Sequence, residues 1–150
     1  MTLTLQEMSD RFEIQDLLVA YCYAVDNQDF DALDHVFAPG AIIDYSEMVG
    51  VKGQLPEIKA FLKESLGSVK AFLHSVSTTQ YTIDGDTART RTAVYNPMEI
   101  DSNGTPSVMV FNLWYHHEFV RTEQGWRISS LREQACISEN VPDWVKALTK

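Results

Sequence analysis

The sequence predicts an α+β fold in which a curved antiparallel sheet wraps around helices from the N-terminal half. Two observations carry this. Large apolar residues recur at helical spacing as far as Leu66, and after Gly67 the period falls to two, across four segments joined by turn sequences. With 150 residues, 45% hydrophobic and 11% aromatic, the chain has material for one domain with a sizeable core. Positions 1–150 read as that single domain, with a core from about 9 to 136 and a tail over 138–150 that packs on the outside.

Leu5, Met8, Phe12, Ile14, Leu17, Leu18, Tyr21 and Val25 fall at helical spacing with Glu7, Asp10, Arg11, Glu13 and Asp16 between them, which predicts one long amphipathic helix. Asn27-Gln28-Asp29 interrupts the period as a hinge. Asp29 can cap a short second helix through Phe30, Leu33 and Phe37, which Pro39-Gly40 must end. Ala41-Ile42-Ile43-Asp44-Tyr45 is rich in β-branched residues and reads as a strand. Pro56 suits the first turn of a third helix that carries Ile58, Phe61, Leu62 and Leu66 and stops at Gly67. Strands then follow over about 70–83, 87–100, 108–122 and 126–136, joined by Asp84-Gly85-Asp86, by Ser102-Asn103-Gly104-Thr105-Pro106 and by Glu123-Gln124-Gly125. Asn96-Pro97 is expected to break the second of them.

Twelve Lys and Arg against 21 Asp and Glu give a net charge of −9, a field that repels phosphate backbones, so nucleic acid is not an expected partner. The N-terminus has no basic stretch followed by an apolar core, and no run approaches ~18 apolar residues. A cytoplasmic protein that does not enter membranes is expected. Cys22 and Cys136 stand alone, outside any CxxC pattern, and both read as buried thiols. His116 and His117 are adjacent on a strand and must point to opposite faces, so they cannot clasp one metal ion; with His35 and His74 they form no HExxH or facial-triad spacing. Phosphate loops, a GxSxG elbow and a nucleotide fingerprint are also missing. No metal and no cofactor are expected, and chemistry falls to carboxylate, imidazole, phenol and amide.

The candidates are polar residues where a core residue is expected. Tyr21 and Asp26 lie ~140° apart on an ideal helix and share a pocket only if the helix loosens near Asn27. Tyr21 reads equally as a core tyrosine and Asp26 as a solvated helix end. His74 should share a buried face with Phe72 and Val76, either as a satisfied neutral core histidine or, if Asp26 meets it, as a base with a fixed tautomer. Asp44-Tyr45 ends a strand, where the pair is either a polar terminus or the rim of a cavity. Asn96 either bonds a local turn or offers its amide to a substrate oxygen. In the third long strand Phe111, Leu113, Tyr115, His117 and Phe119 share one face, and Asn112, Trp114, His116 and Glu118 the other.

These elements and residues together resemble the SnoaL-like branch of the nuclear transport factor 2-like superfamily, which includes scytalone dehydratase, bile acid 7α-dehydratase and hexachlorocyclohexane dehydrochlorinase. The resemblance runs from about Ser9 to Cys136 and is carried by Arg11-Phe12-Glu13-Ile14-Gln15-Asp16-Leu17, Val25-Asp26, Asp29-Phe30-Asp31, Ile43-Asp44-Tyr45, Phe72-Leu73-His74 and Gly125-Trp126-Arg127-Ile128. It implies a cone-shaped, cystatin-like α+β fold. It also implies an Asp-His dyad at Asp26 and His74, a functional tyrosine at Tyr21 and a substrate-orienting tyrosine at Tyr45. Asn96 stands where scytalone dehydratase has a second pocket histidine. Leu113 and Tyr115 fall near that enzyme's serine and asparagine, so the substrate must differ. In related steroid isomerases the base lies where Asp44 stands.

The resulting expectation is a cofactor-free lyase, performing a dehydratase-like elimination or a related C–C cleavage on a small hydrophobic cyclic or aromatic hydroxy compound with the Asp-His dyad as general base. Asp26, His74 and Tyr21 are its catalytic residues, and Tyr45, Asp44, Asn96, Tyr115, Leu113 and Phe111 contact the substrate. An isomerase or cyclase using Asp44 and a non-catalytic binding or oligomerisation module are the alternatives. Aromatic bulk on both faces of the later sheet, Trp114 and His116 among it, implies a homo-oligomer, with a two-fold dimer favoured.

Overall fold

A computed structural model describes residues 2–150. The first helix, α1 (Leu5–Asp26), starts at a reciprocal cap in which Glu7 N–H donates to Thr4 Oγ1 at 3.1 Å and Thr4 N–H donates to Glu7 Oε2 at 2.7 Å. Its buried stripe runs Asp10, Ile14, Leu18, Tyr21, Cys22, Val25. Met8 and Phe12, expected in that stripe, are 37% and 67% exposed. The inward row thus begins with a carboxylate, a phase that hydropathy alone cannot detect.

A six-residue 3₁₀ turn, Phe30–His35, follows under the Asp29 cap. It stops before Pro39-Gly40, because the chain has already entered β1 (Phe37–Asp44) at Phe37. Pro39 and Gly40 instead lie where the register of β1 slips between Phe37 and Ile42, with Gly40 in the left-handed region at φ 76°. Three short elements escape the sequence reading: α2 (Ser46–Val49), β2 (Lys52–Gly53) and the separation of the 70–83 segment into β3 (Ala71–Phe72) and β4 (Ser75–Asp84). Helix α3 (Leu55–Leu66) stands as expected.

Long hairpins β5 (Thr87–Ser102), β6 (Thr105–Thr122) and β7 (Gly125–Glu139) complete a sheet of order β2-β1-β7-β6-β5-β3, with β4 also on β5. Every pair is antiparallel except β1 with β7. Irregularities at Asn112/Leu113 and Glu118/Phe119 bend the β6–β7 ribbon around the helices. Phe111, Leu113, Tyr115, His117 and Phe119 all face inward and are buried. On the outer face, Trp114 lies under the Arg91 guanidinium at 3.8 Å, and His116 Nε2 is 2.7 Å from Gln134 Oε1. Cys136, expected buried, is exposed, whereas Cys22 is buried. No helix among the described residues is long and apolar enough to cross a membrane.

The tail does more than pack outside. Helix α4 (Asp143–Lys146) and a final 3₁₀ turn bring the Leu148 carbonyl so close to Gly50 that a Cβ there would collide with it, and Gly50 has φ 76°. Only glycine satisfies both demands at this position.

Asp10 clamps the start of α1 to the β6–β7 hairpin. Arg121 donates to its two oxygens at 2.9 and 3.0 Å, Trp126 Nε1 donates at 3.0 Å, and the Arg121 guanidinium lies 4.4 Å above the Trp126 ring. The Arg121 hydrogen bonds outweigh the cost of burial and hold the Asp10 carboxyl at about 2. Asp10→Ala strands both donors and should lower the unfolding free energy by about 3 kcal/mol in urea denaturation. Because the folded pKa is depressed, the carboxylate's contribution is complete above the ordinary aspartate range and fades as pH falls toward 2. A variant as stable as the wild type would contradict the clamp.

Candidate active site

A cavity of about 240 Å³ lies between α1, α3, the C-terminal segment and the concave face of the sheet. Its walls are mainly apolar, with Val25, Leu62, Met98, Met109, Phe111 and Leu113 among them, and its polar side chains are His74, Asn96, Glu133, Ser65, Ser68 and the hydroxyls of Tyr21, Tyr45 and Tyr115. Trp144, 61% exposed, and Leu148 stand on its rim. A wider, open depression of about 770 Å³ near Pro39, Pro56 and Gln124 shares no residue with this cavity, and neither Asp26 nor His74 borders it.

The position of His74 follows from Pro97. Strand β5 runs unbroken through Asn96-Pro97, contrary to expectation, and the break falls on its neighbour. Pro97 accepts from Leu73 N–H at 3.3 Å but has no N–H to return, so the Leu73 carbonyl loses its ladder partner. The Asn96 side-chain amide takes that place, donating to Leu73 O at 2.7 Å. Pairing lapses between Phe72 and Ser75, and His74 sits in the gap.

Asp26 closes the gap. Its Oδ2 accepts from the His74 backbone N–H at 2.9 Å and its Oδ1 lies 2.6 Å from His74 Nδ1. One carboxylate therefore fixes both the loop and the ring. With the proton on Nδ1, where the carboxylate draws it, Nε2 keeps a free lone pair. The helix stays regular to Asp26, so no loosening is needed. Tyr21 joins the same site through the ring instead, edge-on to His74 with centroids 6.4 Å apart.

Tyr21 and Tyr45 hydroxyls meet at 2.5 Å, and Tyr21 is edge-on to Tyr115 at 5.8 Å. Burial pushes all three phenols well above their ordinary range, so they remain protonated donors. In the Tyr21–Tyr45 pair one hydroxyl donates to the other, which leaves the second hydroxyl's proton available to a bound molecule.

Asp44 does not border the cavity. Its carboxylate accepts from Ser46 N–H at 3.0 Å and Ser46 Oγ at 2.5 Å and pairs with Lys52 at 3.1 Å; the Ser46 hydroxyl bond first, with the Lys52 charge adding to it, holds its pKa below the usual value. A carboxylate so satisfied is a poor base, and the expectation of a substrate contact at Asp44 is corrected. His117 is also outside the cavity. Burial lowers its pKa to about 3, its Nδ1 is 3.3 Å from Thr90 Oγ1, and its Nε2 has no partner among the described residues.

Glu133 was not anticipated. It stands opposite Tyr115 in the β6–β7 register and in phase with buried Leu131, so the residue falls on the concave face. That alternation was a usable signal, since an acid in phase with core residues is either paired or functional. No group of three or more His, Cys, Asp or Glu side chains able to hold a metal ion occurs among the described residues.

Residues 6–132 match the SnoaL-like domain family. The chain belongs to that family. A relative, the uncharacterized protein Rv2910c of Mycobacterium tuberculosis, is 42% identical over 137 residues, covering 91% of this chain and 92% of that one. The crystal structure of Kfla4162 from Kribbella flavida superposes with a TM-score of 0.82 at 28% identity, covering 89% of this chain and 95% of that one. A type 2 hexachlorocyclohexane dehydrochlorinase, LinA, superposes at 0.78 with 16% identity over 92% and 93% of the two chains, a likeness of fold alone. The fold is the cystatin-like one of nuclear transport factor 2-like proteins.

Asn96→Ala leaves the Leu73 carbonyl unpaired. It should cost about 1–3 kcal/mol of stability and shift the His74 ring signals in NMR spectra. Unchanged ring signals would mean that Asn96 does not position the histidine.

Proposed function

We propose that this SnoaL-like protein is a cofactor-independent lyase that eliminates water, or a comparable leaving group, from a small apolar cyclic or aromatic hydroxy compound. The observation that supports it most is the 2.6 Å contact of Asp26, which does not itself line the apolar cavity, with His74, which does. His74 Nε2 takes a proton from a carbon beside a carbonyl, and Asp26 stabilises the imidazolium that forms. The electron pair of that C–H bond becomes the C=C bond as the neighbouring C–O bond breaks. The departing hydroxyl takes the free proton of the Tyr21–Tyr45 pair and leaves as water, and the imidazolium proton then returns to the phenolate through that water. Substrate becomes alkene plus water, and the protein is restored.

A panel of cyclic β-hydroxyketones, followed by the ultraviolet absorbance of the enone product, tests the reading. Asp26→Asn and His74→Ala should each lower turnover by about 10²-fold or more, whereas Asp44→Asn should stay near the wild type. Activity should survive exhaustive chelation. Tight binding across the panel without turnover would leave a binding module in place of an enzyme.

We further propose that two chains pair through the outer sheet face, where Tyr95 and Ile137, 49% and 62% exposed, flank Asn112 across β5, β6 and β7. Sedimentation should give a dimer that Ile137→Glu dissociates. A wild-type monomer at micromolar concentration would refute the pairing.

A further inference from the structure

Among the described residues Glu133 is the only carboxyl group on the cavity wall, and no lysine or arginine lines that wall. The titratable groups that face it are Tyr21 from α1, Asp44 and Tyr45 from the end of β1, and Tyr115 from β6. Glu47 of α2 binds the neighbouring Ala135 N–H at 2.6 Å, and Lys52 is already paired with Asp44. None of these offers Glu133 a free positive charge. Glu133 is half-buried on this wall, and a carboxylate drawn partly out of bulk water without a cation is costly, a cost the group escapes by keeping its proton. Burial, aided by the Asp44 charge and opposed only by the Tyr115 hydroxyl, accordingly raises the Glu133 carboxyl to about 8.

We propose that Glu133 and Tyr115 form a second polar pole of the cavity, which binds an uncharged oxygen of the ligand, a carbonyl or hydroxyl group, by donating hydrogen bonds to it. The proposal deepens the lyase reading and rests on its assignment of this cavity as the substrate site. His74 stands at the β3–β4 break and Glu133 on β7, with β5 and β6 between them in the sheet order, so the wall offers a base and a pair of donors in separate places. An apolar ring would lie against the apolar walls that both groups share, and its polar substituent is selected by charge. A neutral oxygen accepts from the acid and the phenol. A ligand carboxylate would have to shed its hydration in a cavity without a cation to replace it. The site therefore favours ketones, alcohols and phenols over organic acids.

Acetophenone and benzoate share a ring and differ in this group, and serve as the probes, with binding to the full-length protein followed by NMR shift perturbation. Near pH 6 acetophenone should bind at least about tenfold more tightly than benzoate, a difference of roughly 1.4 kcal/mol. As pH rises through about 8 the acid ionises and the donor is lost, so acetophenone binding should weaken about fivefold or more by pH 10 or so. Glu133→Gln keeps an N–H donor and cannot ionise. Acetophenone should bind it comparably at both pH values, and His74→Ala should retain the wild-type pH dependence. A carboxyl carbon titrating near 8 in ¹³C NMR spectra of the wild type, and missing in Glu133→Gln, should accompany this.

Overturning results are a pH-independent wild-type affinity, the same pH dependence in Glu133→Gln, preferential binding of benzoate, a Glu133 carboxyl titrating in the ordinary range, or no acetophenone binding at millimolar concentration. None of these readouts needs turnover. Inertness toward β-hydroxyketones with pH-dependent acetophenone binding would remove the lyase and keep the pole. Dyad-dependent turnover with flat binding would do the reverse.

Discussion

One carboxylate, that of Asp26, bonds to the backbone and to the ring of the same histidine, and the geometry of the site depends on that double attachment. A ring held only through its side chain can swing with the loop that carries it. Here the backbone N–H at 2.9 Å fixes the loop and the Nδ1 contact at 2.6 Å fixes the imidazole within it. Because Asp26 is the last residue of α1, the same bonds tie the helix end to the sheet edge. The strand break that makes room for His74 is itself imposed by Pro97 and sealed by Asn96. A proline two strands in from β7 thus decides where an imidazole meets a cavity.

The helix is held at both ends by acids of different kinds. At its start Asp10 is buried, saturated by Arg121 and Trp126 and deeply ionised. At its end Asp26 has one partner residue and remains partly exposed, its side chain 22% accessible. A saturated ion pair fixes position and has no valence left for chemistry. The less saturated one retains it. The contrast explains why two aspartates on one helix divide into a clamp and a candidate dyad member, and why Asp44, saturated by Ser46 and Lys52, belongs with the clamp.

Periodicity made the long elements legible: α1, α3 and the three long strands follow from apolar spacing and from turns whose Asn103, Gly85 and Gly125 adopt positive φ. What stayed hidden depends on contacts distant in sequence. Asp10 looked like a surface acid because Arg121 and Trp126, which bind it, lie more than a hundred residues away. Pro97 was legible as a breaker, but sequence does not say which of two paired strands will break; β5 is held by β6 along its other edge, so the weaker edge pairing gives way. The short elements α2, β2 and β3 are below the length at which any period can be recognised. Within the site, the inward face of β6 was legible from alternation, and the same alternation on β7 would have exposed Glu133.

The cavity's chemistry follows from what its fold leaves out. Apolar walls built by α1, α3 and three long strands make any buried charge expensive, so each ionisable group inside must be neutral, paired or shared. Three phenols stay protonated, His74 is paired with Asp26 outside the cavity lining, and Glu133 takes the remaining course of holding its proton. The segment that carries Trp144 and Leu148 to the rim strengthens this, since it limits the water that would otherwise solvate an anion, and its approach is possible only because residue 50 has no side chain. A glycine in a surface turn and an acid on the innermost strand face are in this way parts of one constraint: the closer the tail seals the cavity, the more firmly Glu133 is kept as a donor rather than a charge.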